Sequence, residues 1–141
     1  MVRTSIGAAV TALATGLLLG VPHAAAQAGG AGLYSPAQAQ RGAALYGEHC
    51  APCHGTNLAG TDFGPGVTAP DLQARWKGRT VGDLFALMRS TMPFNSPGGL
   101  SAQQNADILA FLLQHASIPP GAADLPADQA ALSTIPFPSS K

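Results

Sequence analysis

The stretch C-A-P-C-H-G, residues 50 to 55, holds both cysteines of the chain and one of its four histidines. Two thiols separated by two residues, with an imidazole directly behind them, constrain the fold more than any other feature. Whatever such a cluster binds has to be wrapped by the remainder of the chain. Three chemistries use it: a redox dithiol, part of a zinc site, or a covalent anchor for haem. The rest of the sequence decides among them.

The chain has 141 residues, room for one small domain. Residues 1–26 read as a signal peptide. Arg3 gives a positive start, an apolar run extends from Ile6 to Val21, and Ala24 and Ala26 form the small-x-small pattern that signal peptidase cleaves, near Ala26–Gln27. A retained anchor is the competing reading, but the run is short for a bilayer span and rich in Ala and Gly. Export follows in both cases, and the periplasm is the expected location. Loss of Arg3 leaves six basic against seven acidic side chains, a net charge of about −1. That balance offers no basic stripe for nucleic acid and no charged docking tail. No later segment is apolar over a spanning length, so no further membrane element is expected.

Residues 27–34 read as a flexible lead-in. Ser35 then suits an N-cap and Pro36 the first helical position, opening a helix that runs to Cys50. Ala39, Gly42, Ala43 and Tyr46 share one face of it. A glycine inside a helix costs about 1 kcal/mol against alanine, so Gly42 marks a close packing contact. Residues 55–73 contain four glycines and two prolines and read as a long ordered loop of the kind that wraps a ligand. A second helix is expected over Val81–Thr91, capped by Thr80, with Val81, Leu84, Phe85 and Met88 as its apolar stripe. Ser101 and Gln104 form a capping box for a last helix ending near His115, with Ala106, Leu109, Ala110 and Leu113 on its inner face and Phe111 beside them. Five prolines follow within residues 117–141, which predicts an extended tail with one turn near Asp128 to Leu132. No strand alternation occurs. The expected fold is all-α: three to four helices over residues 35–116, followed by that tail.

Against this organisation the three chemistries separate. A thioredoxin-like dithiol sits where a strand leads into a helix, whereas here a helix leads into Cys50 and a glycine-rich loop follows Cys53. A zinc site needs four ligands around a tetrahedron, and the adjacent His49, Cys50, Cys53 and His54 cannot easily wrap one. Haem attachment explains the order of the residues. Both thiols add to the vinyl groups on one side of the macrocycle, and the histidine after the second thiol comes under the iron and binds it through Nε2. Cys50 and Cys53 are then thioether tethers, His54 is the first axial ligand, and one haem c is the expected cofactor.

For the sixth ligand the candidates are Met88, Met92, His49 and His115. Met88 belongs to an apolar stripe and reads as core. His49 is too near the anchor to reach the opposite face of the haem, and His115 suits a solvated helix end. Met92 lies just past its helix, before Pro93 and an irregular loop able to reach a ligand, and is the expected second axial residue.

With these residues in place the sequence resembles a class I c-type cytochrome over roughly Pro36 to His115. The motifs are R-G-x-x-L-Y-x-x-H-C-x-x-C-H-G (41–55), A-P-D-L (69–72), T-M-P-x-x-x-P-G-x-L (91–100) and D-I-L-A-F-L (107–112). The resemblance implies a small cytochrome c fold whose first and last helices cross at a right angle, Gly42 and Tyr46 meeting Phe111. It implies that the Pro70 carbonyl accepts a hydrogen bond from Nδ1–H of His54, and that Trp76 and Arg79 bind the haem propionates. The tail is similar to that of stand-alone or dehydrogenase-associated periplasmic cytochromes. With His54 and Met92 both on the iron no substrate position is open, so the expected function is one-electron transfer, not enzymatic catalysis. The expected partners are transient redox proteins, a dehydrogenase donor and an oxidase or cytochrome acceptor, served by a monomer. The alternatives are a haem subunit of a dehydrogenase complex, and a sensor or peroxidase with a labile sixth ligand.

Overall fold

A computed structural model describes residues 32–139, together with Met1. The expected signal peptide and its cleavage site lie outside the described residues. Six helices follow in order: α1 (Pro36–His49), α2 (Ala51–His54), α3 (Ala69–Trp76), α4 (Val81–Thr91), α5 (Ala102–His115) and α6 (Gln129–Ser133). Among the described residues extended pairing is limited to two isolated bridges, Thr61 with Gly64 and Thr80 with Pro136. The all-α expectation is met. None of these helices is long and apolar enough to cross a membrane.

The three long helices start where their caps predict. The Ser35 hydroxyl accepts from the Gln38 N–H at 3.1 Å, that of Thr80 from Asp83 at 3.1 Å, and that of Ser101 from Gln104 at 3.2 Å. The face that α1 buries differs in one residue from the expected one: Gln38 is inside and Ala43 is exposed. Gln38 tolerates burial because both ends of its amide are paired with the Leu125 backbone, donating to the carbonyl at 3.0 Å and accepting from the N–H at 2.6 Å. The glycine-rich span behaves partly as expected. It is irregular as far as Thr68, but α3 then begins at Ala69 instead of the loop continuing to Gln73. Its start is a capping-box pair in which the Asp71 carboxylate accepts from the Thr68 N–H at 3.0 Å and from the Thr68 hydroxyl at 2.6 Å, with Pro70 in the first turn.

α1 packs on α5 at the glycine. A Cβ on Gly42 would collide with the Asp107 carbonyl and lie 3.0 Å from the Phe111 Cβ, while the Tyr46 and Phe111 rings stack tilted with centroids 5.1 Å apart. Beside this crossing Arg41 grips Asp107 with two hydrogen bonds, at 3.0 and 3.2 Å, and reaches Asp124 of the tail at 2.7 Å. Asp124 also accepts from the Ser35 hydroxyl. The tail is therefore tied to the start of the domain, and it is not peripheral. Leu125, Leu132 and Phe137 are buried in the same hydrophobic core as α1, α4 and α5. The turn expected near Asp128 is α6, capped by the Asp128 carboxylate and packed on α4.

Candidate functional site

Cys50 ends α1, its N–H donating to the Tyr46 carbonyl at 2.9 Å, and α2 follows as a single turn that carries Cys53 and His54. A separation of three residues on one turn brings both sulfurs to the same side. No disulfide joins them, and both, with His54, line a cavity of about 690 Å³. Burial, with Cys53 beside it, pushes the Cys50 thiol up to about 11, so it stays protonated near neutrality and is a poor redox nucleophile.

The His54 ring is oriented by a backbone carbonyl. Nδ1–H donates to the Pro65 oxygen at 2.7 Å, which leaves Nε2 as the nitrogen with a free lone pair on a residue that lines the cavity. The partner is thus Pro65, not Pro70. Pro70 lies in the first turn of α3, where a carbonyl is directed along the helix's own hydrogen-bond ladder. The glycine-rich loop is pinned to the motif by further contacts. Gly60 N–H donates to the His54 carbonyl at 2.9 Å, and the Thr61 hydroxyl to the Cys53 carbonyl at 2.6 Å. The Tyr46 hydroxyl donates to the Gly55 carbonyl at 2.9 Å, and burial raises it to about 12.

A second wall comes from α4. Met92 is its C-cap, half-buried, with an extended backbone that turns the chain out of the helix, and both Met92 and Pro93 line the cavity. Met88 also touches the cavity but is 7% exposed on the face that α4 buries with Leu84 and Phe85. His49 is half-buried at the cavity edge, 3.7 Å from Glu48. His115 is exposed, edge-on to Phe111 with centroids 4.4 Å apart, and does not line the cavity. Trp76 is buried in the wall, and the Arg79 guanidinium lies over its ring, 5.3 Å from the centroid. Pro65 has no signature in the sequence, because the group it contributes is a backbone carbonyl. Asp71, also in the lining, carried the missed signal for α3: T-x-x-D ahead of an apolar residue.

The sequence pattern of the family described as cytochrome C oxidase, cbb3-type, subunit III matches residues 37–112, more than half of the chain. The chain belongs to this cytochrome c family. A solved structure, the sulfane dehydrogenase SoxCD from Paracoccus pantotrophus, contains a chain with the same fold at TM-score 0.51 and 22% identity. The match covers 71% of the cytochrome but only 53% of that chain, so the cytochrome spans about half of its length. The search of curated proteins gives no match.

A cytochrome c domain implies covalently bound haem c, and Cys50 and Cys53 are the two cysteines of the chain. The described residues fit that group. The cavity is within the range of about 300–1,000 Å³ usual for cofactor sites, its lining is largely apolar, and its sulfur and nitrogen donors have the chemistry that haem attachment and iron ligation require.

Proposed function

We propose that this cytochrome is an exported periplasmic one-electron carrier that would hold a single haem c, with Cys50 and Cys53 as its tethers and His54 and Met92 as the ligands of its iron. The observation that carries the reading is that one cavity is lined both by the turn bearing the two cysteines and His54 and by Met92 from the end of α4. Haem iron, when bound, supplies reversible one-electron chemistry.

The chain's own groups do the rest. The hydrogen bond from His54 to Pro65 fixes the imidazole and raises its basicity. The thioether of Met92 favours the ferrous state, and burial by Leu72, Leu84, Ile108 and Leu112 pushes the potential in the same direction. Two protein ligands leave no position for substrate, so the cytochrome transfers electrons and is not an enzyme. It works as a monomer, taking electrons from a periplasmic dehydrogenase and passing them to the respiratory chain. Its docking surfaces are small and transient, and its low net charge gives weak electrostatic steering.

A redox titration followed by absorption spectra tests the assignment on the purified exported protein. Met92→Ala should lower the reduction potential and open the reduced iron to carbon monoxide, while Met88→Ala should leave both properties near those of the parent. The reverse ranking would transfer the ligand role to Met88. Rapid stoichiometric carbon monoxide binding by the parent would instead favour a sensor or peroxidase. A haem subunit of a dehydrogenase complex is the second reading, and the fold shared with a chain of a sulfane dehydrogenase is compatible with it. Purification of a stable complex with a catalytic chain would select it.

A further inference from the structure

The segment Trp76–Thr80 has two sides with different neighbours. On the inner side Trp76 and Arg79 line the cavity. On the outer side the backbone of the same segment is held by the C-terminal tail. Phe137 N–H donates to the Arg79 carbonyl at 2.8 Å and Val81 N–H to the Ile135 carbonyl at 2.8 Å, flanking the bridge between Thr80 and Pro136. Gln73, on α3 just ahead of the segment, donates to the Pro138 carbonyl at 2.7 Å. Gln129 of α6 donates to the Gly82 carbonyl at 2.9 Å. The contact is close enough to require a glycine: a Cβ on Gly82 would come within 2.7 Å of the Ser133 backbone. Phe137 and Leu132, the apolar anchors of this stretch, are 6% and 0% exposed.

We propose that the tail segment from Gln129 to Pro138 is a positioning element for Arg79, holding its guanidinium at the edge of the cofactor cavity and thereby raising the reduction potential of the bound cofactor. The inference rests on the haem reading above. A reduction adds one negative charge to the cavity, and a cation kept beside it stabilises the reduced form by direct Coulomb attraction. Arg79 is exposed, so that attraction is screened by salt and depends on how closely the guanidinium is kept to the cavity. A free Trp76–Thr80 loop, with Gly78 at its centre, would let the side chain move into water. The backbone pairing of Phe137 with Arg79 and of Ile135 with Val81 fixes the point from which the side chain extends, and the cation–π contact with Trp76 sets its direction.

The test is a double-mutant cycle on the full, haem-loaded chain, read as midpoint potential and thermal unfolding midpoint. Arg79→Gln should lower the potential, by an amount that shrinks as salt is raised. Gly82→Ala, which forces α6 away from α4, should lower it in the same direction, and adding Gly82→Ala to Arg79→Gln should produce no further shift. Gln73→Ala removes one tail contact without overpacking and should give a smaller decrease, which decides the matter if Gly82→Ala does not accumulate. The proposal is overturned if Arg79→Gln leaves the potential unchanged. It is equally overturned if the tail variants lower the unfolding midpoint but not the potential, or if the two potential shifts add. Failure of the haem reading has a different signature: the parent protein itself would lack a covalent haem spectrum.

Discussion

At Gly42 the difference between a hydrogen and a methyl group decides whether two helices meet. The helix propensity of α1 favours alanine there by about 1 kcal/mol, yet an added Cβ would enter the space of the Asp107 carbonyl on α5. Overpacking of this kind costs about 1–3 kcal/mol, and backbone on both sides leaves little room to relax. Gly42→Ala should therefore destabilise the protein in denaturant titrations, and a variant as stable as the parent would mean that α1 and α5 do not approach this closely. Gly42 was legible in the sequence because a glycine inside a periodic helix has a local cost that something must offset. Cys50, Cys53, His54 and Met92 stand out in the sequence by side-chain type, and the fold brings all four to the lining of one cavity. Pro65 does not stand out, since the group it contributes is a carbonyl that every residue possesses, and only the folded loop shows which one reaches His54.

Among the elements, legibility followed the strength of the start signal. α1, α4 and α5 each combine an N-cap with two or more turns of apolar periodicity, and each begins at the expected residue. α3 has eight residues and follows a glycine-rich stretch, so its periodicity is too brief to register and only its capping box marks it. The same boxes make the cavity walls sensitive to acid. Hydrogen bonds from Thr68, first side chain and then backbone, hold the Asp71 carboxyl below the usual carboxylate range, and the Thr80 backbone and then its hydroxyl do so for Asp83. A carboxyl whose native value is depressed binds fewer protons in the folded chain than in the unfolded one. Its stabilisation is complete above the unfolded value of about 4 and is lost as pH falls through the lower native value. Unfolding midpoints should thus decline below pH of about 4, and Asp83→Asn should flatten part of that decline. A parallel acid profile in Asp83→Asn would remove Asp83 from the account. Near neutrality, Thr80→Ala should cost about 1 kcal/mol through loss of the cap, measurable by the same denaturation.

Taken whole, the chain is held closed by the part of it that looked least structured. Prolines at five positions after His115 exclude a long helix, and the lack of periodicity suggested a tail running outside the domain. Neither feature forbids burial. An irregular segment can insert isolated side chains wherever it meets the core, at spacings that no helical or strand template detects. Leu125 enters beside Gln38 of α1, Leu132 lies under α4, and Phe137 joins the pairing with Arg79, while Asp124 links Ser35 and Arg41 to the tail. The tail thus bridges the beginning of α1 and the wall of the cofactor cavity. A surface appendage would tolerate substitution within about 0.5 kcal/mol. Leu132 is fully buried, so Leu132→Ala should cost about 2–5 kcal/mol and lower the midpoint of a single cooperative transition. Chemical denaturation monitored both by helix content and by the environment of Trp76 checks this. If α6 and the cavity wall belong to one folding unit, the two probes shift together in the variant. If only the tail loosened, helix content would change while the Trp76 signal kept the parent's midpoint, and the bridging role of the tail would be refuted.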